Sequence, residues 1–170
     1  MLSKILFGEL IRFGVNFAVS VPSSLFRNLL RMLETATEIV HIPVTREEEG
    51  VGVAAGAYLG GKTPALIIQN SGLGNSINAL ASLNMVFKIP LLLLIAQRGG
   101  KGERIPAQIP MGMATSHLLN AIGIPHYTPK SAKQIPKAFQ KAKKWFHTHL
   151  TPVAVLIKME LMENEKNRSD

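Results

Sequence analysis

Three runs leave this chain little freedom of fold: ALII (65–68), LLLLIA (91–96) and VAVLI (153–157) are apolar at every position. A strand covered on one face alternates apolar and polar residues, whereas one covered on both faces reads as an unbroken apolar run. The runs are far shorter than the roughly 20 residues a bilayer-spanning helix needs. They therefore belong inside a sheet sandwiched between helices. Further strands are expected at 17–21, 38–44 and 124–127. Between the strands lie segments with helical spacing, such as Leu25, Phe26, Leu29, Leu30 and Leu33. This alternation predicts an α/β fold: a doubly wound, six-stranded parallel sheet in three α/β/α layers. Residues 1–160 are expected to form that one domain, with 161–170 a frayed tail.

In open parallel sheets, ligands sit beyond the carboxyl ends of the strands. The turns expected there are VPSS (21–24), VTREEEG (44–50), QNSGLGN (69–75) and AQRGGKGERIPAQIP (96–110), all polar or glycine-rich. Within them Glu47 stands out. It lies four residues before Val51 and eight before Ala55, so it shares the apolar face of the helix expected over 46–59. A carboxylate on a packed face can hold or release a proton nearer neutrality, which makes Glu47 the candidate catalytic group. Its neighbours have plainer readings: Thr45 and Glu48 fit a capping box, and Glu49 complements the helix dipole. The glycines of SGLGN form either a tight turn or a backbone approach to a ligand, and they match neither a P-loop nor a dinucleotide fingerprint. Ser23 or Ser24 either caps the next helix or faces an anion. Gly50, Gly52 and Gly56 lie within a helix, at about 1 kcal/mol each against alanine. They point to close approach of another backbone or a cofactor, or to ordinary helix packing.

Composition narrows the chemistry. The chain has no cysteine, which removes disulfides and thiolate metal sites. Its five histidines lack ligand spacing, and no HExxH or G-x-S-x-G motif is present, so no metal held by this chain is expected. The net charge of +8 raises nucleic acid as a partner. Yet the basic residues of 130–144 sit at helical spacing without aromatic interleaving, the pattern of a solvated helix face. The other reading of that charge is a positive field that draws in an anionic substrate or an acidic partner subunit. Neither nucleic acid nor membrane is an expected partner. Glu9 and Arg12 interrupt the first apolar stretch, so it does not read as a secretory signal, and a cytoplasmic location is expected.

One combination of motifs carries a family resemblance. An apolar strand is followed by E-x(8)-G-x-Y (Glu47, Gly56, Tyr58), then by a strand and S-G-x-G-N, then by an apolar strand opened by Pro90. This resembles the pyrimidine-binding (PYR) domain of thiamine diphosphate enzymes. The strings REEEGVGVAAGAYLGGK, IIQNSGLGNSINAL, KIPLLLLIAQRG and PAQIPMG are similar to alpha subunits of sulfopyruvate decarboxylases and to the N-terminal half of phosphonopyruvate decarboxylases.

The resemblance implies the thiamine diphosphate-binding fold and the decarboxylation of a small anionic 2-oxo acid. For sulfopyruvate, the product is sulfoacetaldehyde, an intermediate of coenzyme M synthesis in methanogens. It implies that Glu47 hydrogen-bonds N1′ of the aminopyrimidine and promotes deprotonation of the thiazolium C2. It places Asn70, Ser71, Gly72, Gly74 and Asn75 beside the cofactor. Ser24 is placed toward the substrate, with Gln108 a further candidate. Arg98, Lys101 and Arg104, in the loop over 97–110, either meet the extra negative charge of such a substrate or are merely solvated, and Arg46 beside Glu47 is another candidate. Gln108 and Ile109 stand where some related decarboxylases have paired histidines. No G-D-G motif exists here, so Mg2+ and the diphosphate are expected on a separate beta subunit, in a hetero-oligomer that also has alpha–alpha contacts. A phosphonopyruvate decarboxylase subunit and a non-catalytic subunit of an acetolactate-type synthase are the alternatives.

Overall fold

The apolar runs become the centre of a sheet. In the computed structural model, which describes residues 2–166, six strands form: β1 (Phe17–Ser20), β2 (Val40–Pro43), β3 (Pro64–Gln69), β4 (Leu92–Gln97), β5 (His126–Tyr127) and β6 (Val153–Lys158). All pair in parallel, in the order β2-β1-β3-β4-β6-β5. Seven α-helices accompany them: α1 (Leu2–Phe13), α2 (Arg27–Glu34), α3 (Glu47–Leu59), α4 (Asn70–Ala79), α5 (Ile109–Ala121), α6 (Ile135–His149) and α7 (Met159–Lys166).

The helices divide between the two faces of the sheet. Leu10 of α1, Leu29 of α2 and Phe139 of α6 pack over Ile67, Leu94 and Val155. Val51 of α3, Leu73 of α4 and Leu119 of α5 pack over Val19, Leu66, Leu93 and Leu156. Along LLLLIA, Leu92, Leu94 and Ala96 face the first core, whereas Leu91, Leu93 and Ile95 face the second. A strand with a core on each side has no position left for a polar side chain. Strand order reverses between β1 and β3, because α2 leads outward to β2 and α3 leads back to β3. A crevice opens at such a reversal, outside the carboxyl ends of the strands.

Three local expectations are corrected. SGLGN is not a turn: α4 begins at Asn70, and Gly72 and Gly74 lie within it without positive φ. The helix runs on through a π-helical segment, Leu80–Met85, where buried Asn84 donates from Nδ2 to the Ile89 carbonyl at 2.8 Å. Helix α5 begins at Ile109, inside the loop expected over 96–110, with Pro110 in its first turn, where a missing N–H costs nothing. The stretch expected to fray carries α7 as far as Lys166, and its last residues, 167–170, lie outside the described residues.

Leu93 has no exposed surface and sits in the central strand. Leu93→Ala should cost about 2–5 kcal/mol, read as a lower urea midpoint with an unchanged slope.

Candidate active site

The carboxyl edge gathers the four polar loops, and α3 brings Glu47 to it. Helix α3 can lie against the sheet because Gly50 has no side chain. A β-carbon there would fall 2.8 Å from Leu66 Cδ1 and 3.2 Å from Val19 Cγ1. The first turn of α3 is thus pressed down beside α4. Glu47, half-buried, reaches across to α4, where its Oε2 accepts a hydrogen bond from Asn75 Nδ2 at 3.1 Å. Gly72 makes the room: a β-carbon there would lie 2.1 Å from Glu47 Oε1 and 2.2 Å from its carboxyl carbon. Among the described residues no donor reaches Oε1. The site therefore presents a fixed carboxylate with one acceptor oxygen left open, the feature that an aminopyrimidine N–H requires.

The capping roles differ from those read in the sequence. The N-cap of α3 is Arg46, with no side-chain cap bond. Glu49 is the residue that reaches back, its Oε2 accepting from Thr45 N at 3.2 Å and from Thr45 Oγ1 at 3.1 Å. Glu48 instead pairs with Arg46. Its own backbone N–H, and then Arg46, hold its carboxyl below the ordinary range.

Asn70, a residue expected beside the cofactor, makes hydrogen bonds within the chain. It is fully buried, and its Nδ2 donates to the Arg98 carbonyl at 3.2 Å and to Thr115 Oγ1 at 3.0 Å. Its Oδ1 accepts from Arg98 N at 3.1 Å. This amide ties the ends of β3 and β4 to α5. Ser71 and Gly74 are exposed on α4, and Gln69 Nε2 joins Ser71 Oγ and Gln108 Oε1, each at 3.1 Å. The structure thus brings Glu47, Gly72 and Asn75 together, sets Ser71 and Gln108 beside them in a second polar cluster, and turns Asn70 inward.

Arg98 is likewise committed. Its Nε and Nη2 make a fork to Glu103 at 2.9 and 2.6 Å, and the Glu103 side chain is 1% exposed. Arg98, with the Ile105 and Gly99 amides, holds the Glu103 carboxyl down at about 2, against the opposing effect of burial. The same loop is clamped where Gly99 meets α5: a β-carbon on Gly112 would lie 2.5 Å from Gly99 Cα. Neither Glu103 nor this glycine contact stood out in the sequence. The fork five residues apart was the available signal. Among the described residues, no group of three or more His, Asp or Glu is placed to hold a metal ion, and no helix is long and apolar enough to cross a membrane.

The family profile "Thiamine pyrophosphate enzyme, N-terminal TPP binding domain" matches residues 1–122. Sulfopyruvate decarboxylase subunit alpha of Methanococcus maripaludis is 45% identical over 164 residues, covering 96% of this chain and 98% of that protein. Its counterpart in Methanocaldococcus jannaschii is 48% identical, covering 84% and 85%. Phosphonopyruvate decarboxylase of Streptomyces viridochromogenes is 39% identical over 108 residues, covering 63% of this chain and 27% of that protein. An X-ray structure of a protein from Mycobacterium smegmatis, described as thiamin diphosphate-dependent, superposes with a TM-score of 0.77 at 18% identity, over 94% of this chain and 31% of that one. At that identity, the likeness speaks to fold alone.

A folded-state pKa below the ordinary 4.5 means that Glu103 contributes stability above that pH and loses it as pH falls toward about 2. Urea midpoints measured across this window should fall, and Glu103→Gln should flatten that dependence while lowering stability at pH 7.

Proposed function

This chain belongs to the family of thiamine pyrophosphate enzyme N-terminal domains, and we propose that it is the pyrimidine-binding subunit of a two-chain decarboxylase acting on sulfopyruvate. One observation carries the cofactor reading. The Glu47 carboxylate lies in space that only a glycine at position 72 leaves open, held by Asn75 through one oxygen and open at the other. Similarity to sulfopyruvate decarboxylase alpha subunits, over 96% of this chain for one and 84% and 69% for two others, supports the substrate.

The roles follow from what each residue can offer. Glu47 Oε1 would receive the N1′ hydrogen bond and hold the proton there. Asn75 fixes the carboxylate's rotamer, so no reorganisation is needed when the pyrimidine arrives. Gly72 leaves the space that the carboxylate itself occupies. When bound, thiamine diphosphate supplies the electron sink that lets a 2-oxo acid lose carbon dioxide. The products would be sulfoacetaldehyde and carbon dioxide. Ser24, exposed beyond the end of β1, faces the substrate side in this reading.

The other half of the site would come from a second subunit. The sequence has no G-D-G, and its one aspartate is Asp170. A beta subunit would hold Mg2+ and the diphosphate, and the cofactor would bridge the two chains. The outer face of α3 supports a contact between copies or with that partner. A β-carbon at Gly52 or Gly56 would meet nothing within 4 Å, and Leu59 is 74% exposed.

Two tests bear on this reading. In the complex with its beta subunit, Glu47→Gln should lower kcat by about 10²–10⁴-fold while the assembly elutes unchanged by size exclusion. Near-normal turnover would rule out the role given to Glu47. Gly72→Ala should cost activity similarly by displacing the carboxylate, with thiamine diphosphate affinity falling in calorimetry. Preference for phosphonopyruvate over sulfopyruvate in the same assay would reassign the substrate.

A further inference from the structure

Two of the arginines that the sequence offered for the substrate are already occupied, Arg98 by Glu103 and Arg46 by Glu48. A sulfonated 2-oxo acid carries two negative charges, and an anion withdrawn from water needs compensating donors.

A cleft of about 760 Å³ lies between α2 and β2 and includes Ser23, Ser24, Arg27, Arg31 and His41. It reaches Pro43 at the carboxyl end of β2, four residues before Glu47. Two features suit it to an anion. Ser24 is exposed where the loop after β1 enters α2. Arg27 and Arg31 project from successive turns of α2, both exposed, and among the described residues neither pairs with a carboxylate within 4.0 Å. Like charges one turn apart repel, so their placement gains most when an anion lies between them.

The remaining ionisable groups define where the charge lies. Burial pushes the pKa of His41 down, against the pull of Glu34, and its Nε2 is 2.8 Å from Ser20 Oγ. His41 is therefore neutral near pH 7, and the positive charge of the cleft comes from the arginines. Glu34 lines the cleft one turn beyond Arg31 and limits the favourable region to the Ser23–Ser24 end.

We propose that Arg27 and Arg31, with the hydroxyl of Ser24, bind the sulfonate of the substrate and select for it. This assignment rests on the decarboxylase reading given above. The guanidinium fork matches an oxyanion group in shape and charge, and two long side chains from adjacent turns can converge on one group.

Steady-state kinetics of the reconstituted two-subunit complex test the assignment, with sulfoacetate as a competing sulfonate. Arg27→Ala and Arg31→Ala should each raise the KM for sulfopyruvate by about 10- to 100-fold and weaken inhibition by sulfoacetate in parallel. At saturation, kcat should stay within about twofold. Arg27→Lys should recover part of the loss. An active complex whose variants keep the parental KM overturns the clamp alone, as does a loss confined to kcat with sulfoacetate inhibition intact. An unsubstituted complex that leaves sulfopyruvate unchanged overturns both the clamp and the decarboxylase reading.

Discussion

The contact between the Glu47 carboxylate and the bare backbone of Gly72 is the constraint on which the site depends. It ties the first turn of α3 to the first turn of α4, and it works only if both helices lie close to the sheet and to each other. Gly50 lets α3 settle onto Leu66 and Val19, and Gly72 lets the carboxylate enter α4. Each glycine costs helix stability, about 1 kcal/mol against alanine. That cost is offset by a carboxylate whose position is set before any ligand arrives. Preorganisation of this kind is where a charged group gains its effect, because nothing has to move when charge develops.

Topology brings the rest to the same edge. Because α2, after β1, and α4, after β3, lie on opposite faces, the chain leaves the ends of β1 and β3 in opposite directions and a crevice opens between them. Two further devices keep the rim rigid. Asn70 uses both ends of its amide to join β3, β4 and α5, and Glu103 gathers the loop after β4 around Arg98. Both are polar groups buried with their partners satisfied, the condition under which such networks stiffen a structure rather than weaken it.

The sheet was legible in the sequence because burial on both faces leaves a plain signature, and LLLLIA has no polar alternative. Glu47 was legible because its spacing placed it on the wrong face for an ordinary surface acid. SGLGN misled because glycine after a strand is commoner in turns than in the first turn of a helix. The need for a glycine at position 72 lies 25 residues earlier, in Glu47, and no local pattern can carry that information. The capping assignment failed in a similar way. Thr45 to Glu48 fits the capping-box spacing, but Arg46 draws Glu48 aside and Glu49 takes its place. The hydrogen bonds of Asn70 were not legible either, because its partners lie far along the chain. Its burial depends on Thr115, 45 positions away.

Arginine placement shows why charge counts say little about function. Arg12, Arg46 and Arg98 all have carboxylate partners in the fold, so their charge is largely cancelled close to home. Arg98, which has the most buried of these three guanidinium groups, gives its fork to Glu103 and becomes part of the scaffold. A guanidinium so engaged has few donors left for a substrate, since both edges of a planar fork are directional. What remains for recognition is charge without an internal partner. Among the described residues, Arg27 and Arg31 meet that condition at the cleft beside Ser24. Net charge over the whole chain governs long-range attraction of anions, whereas selection among anions needs donors that the fold has left unused.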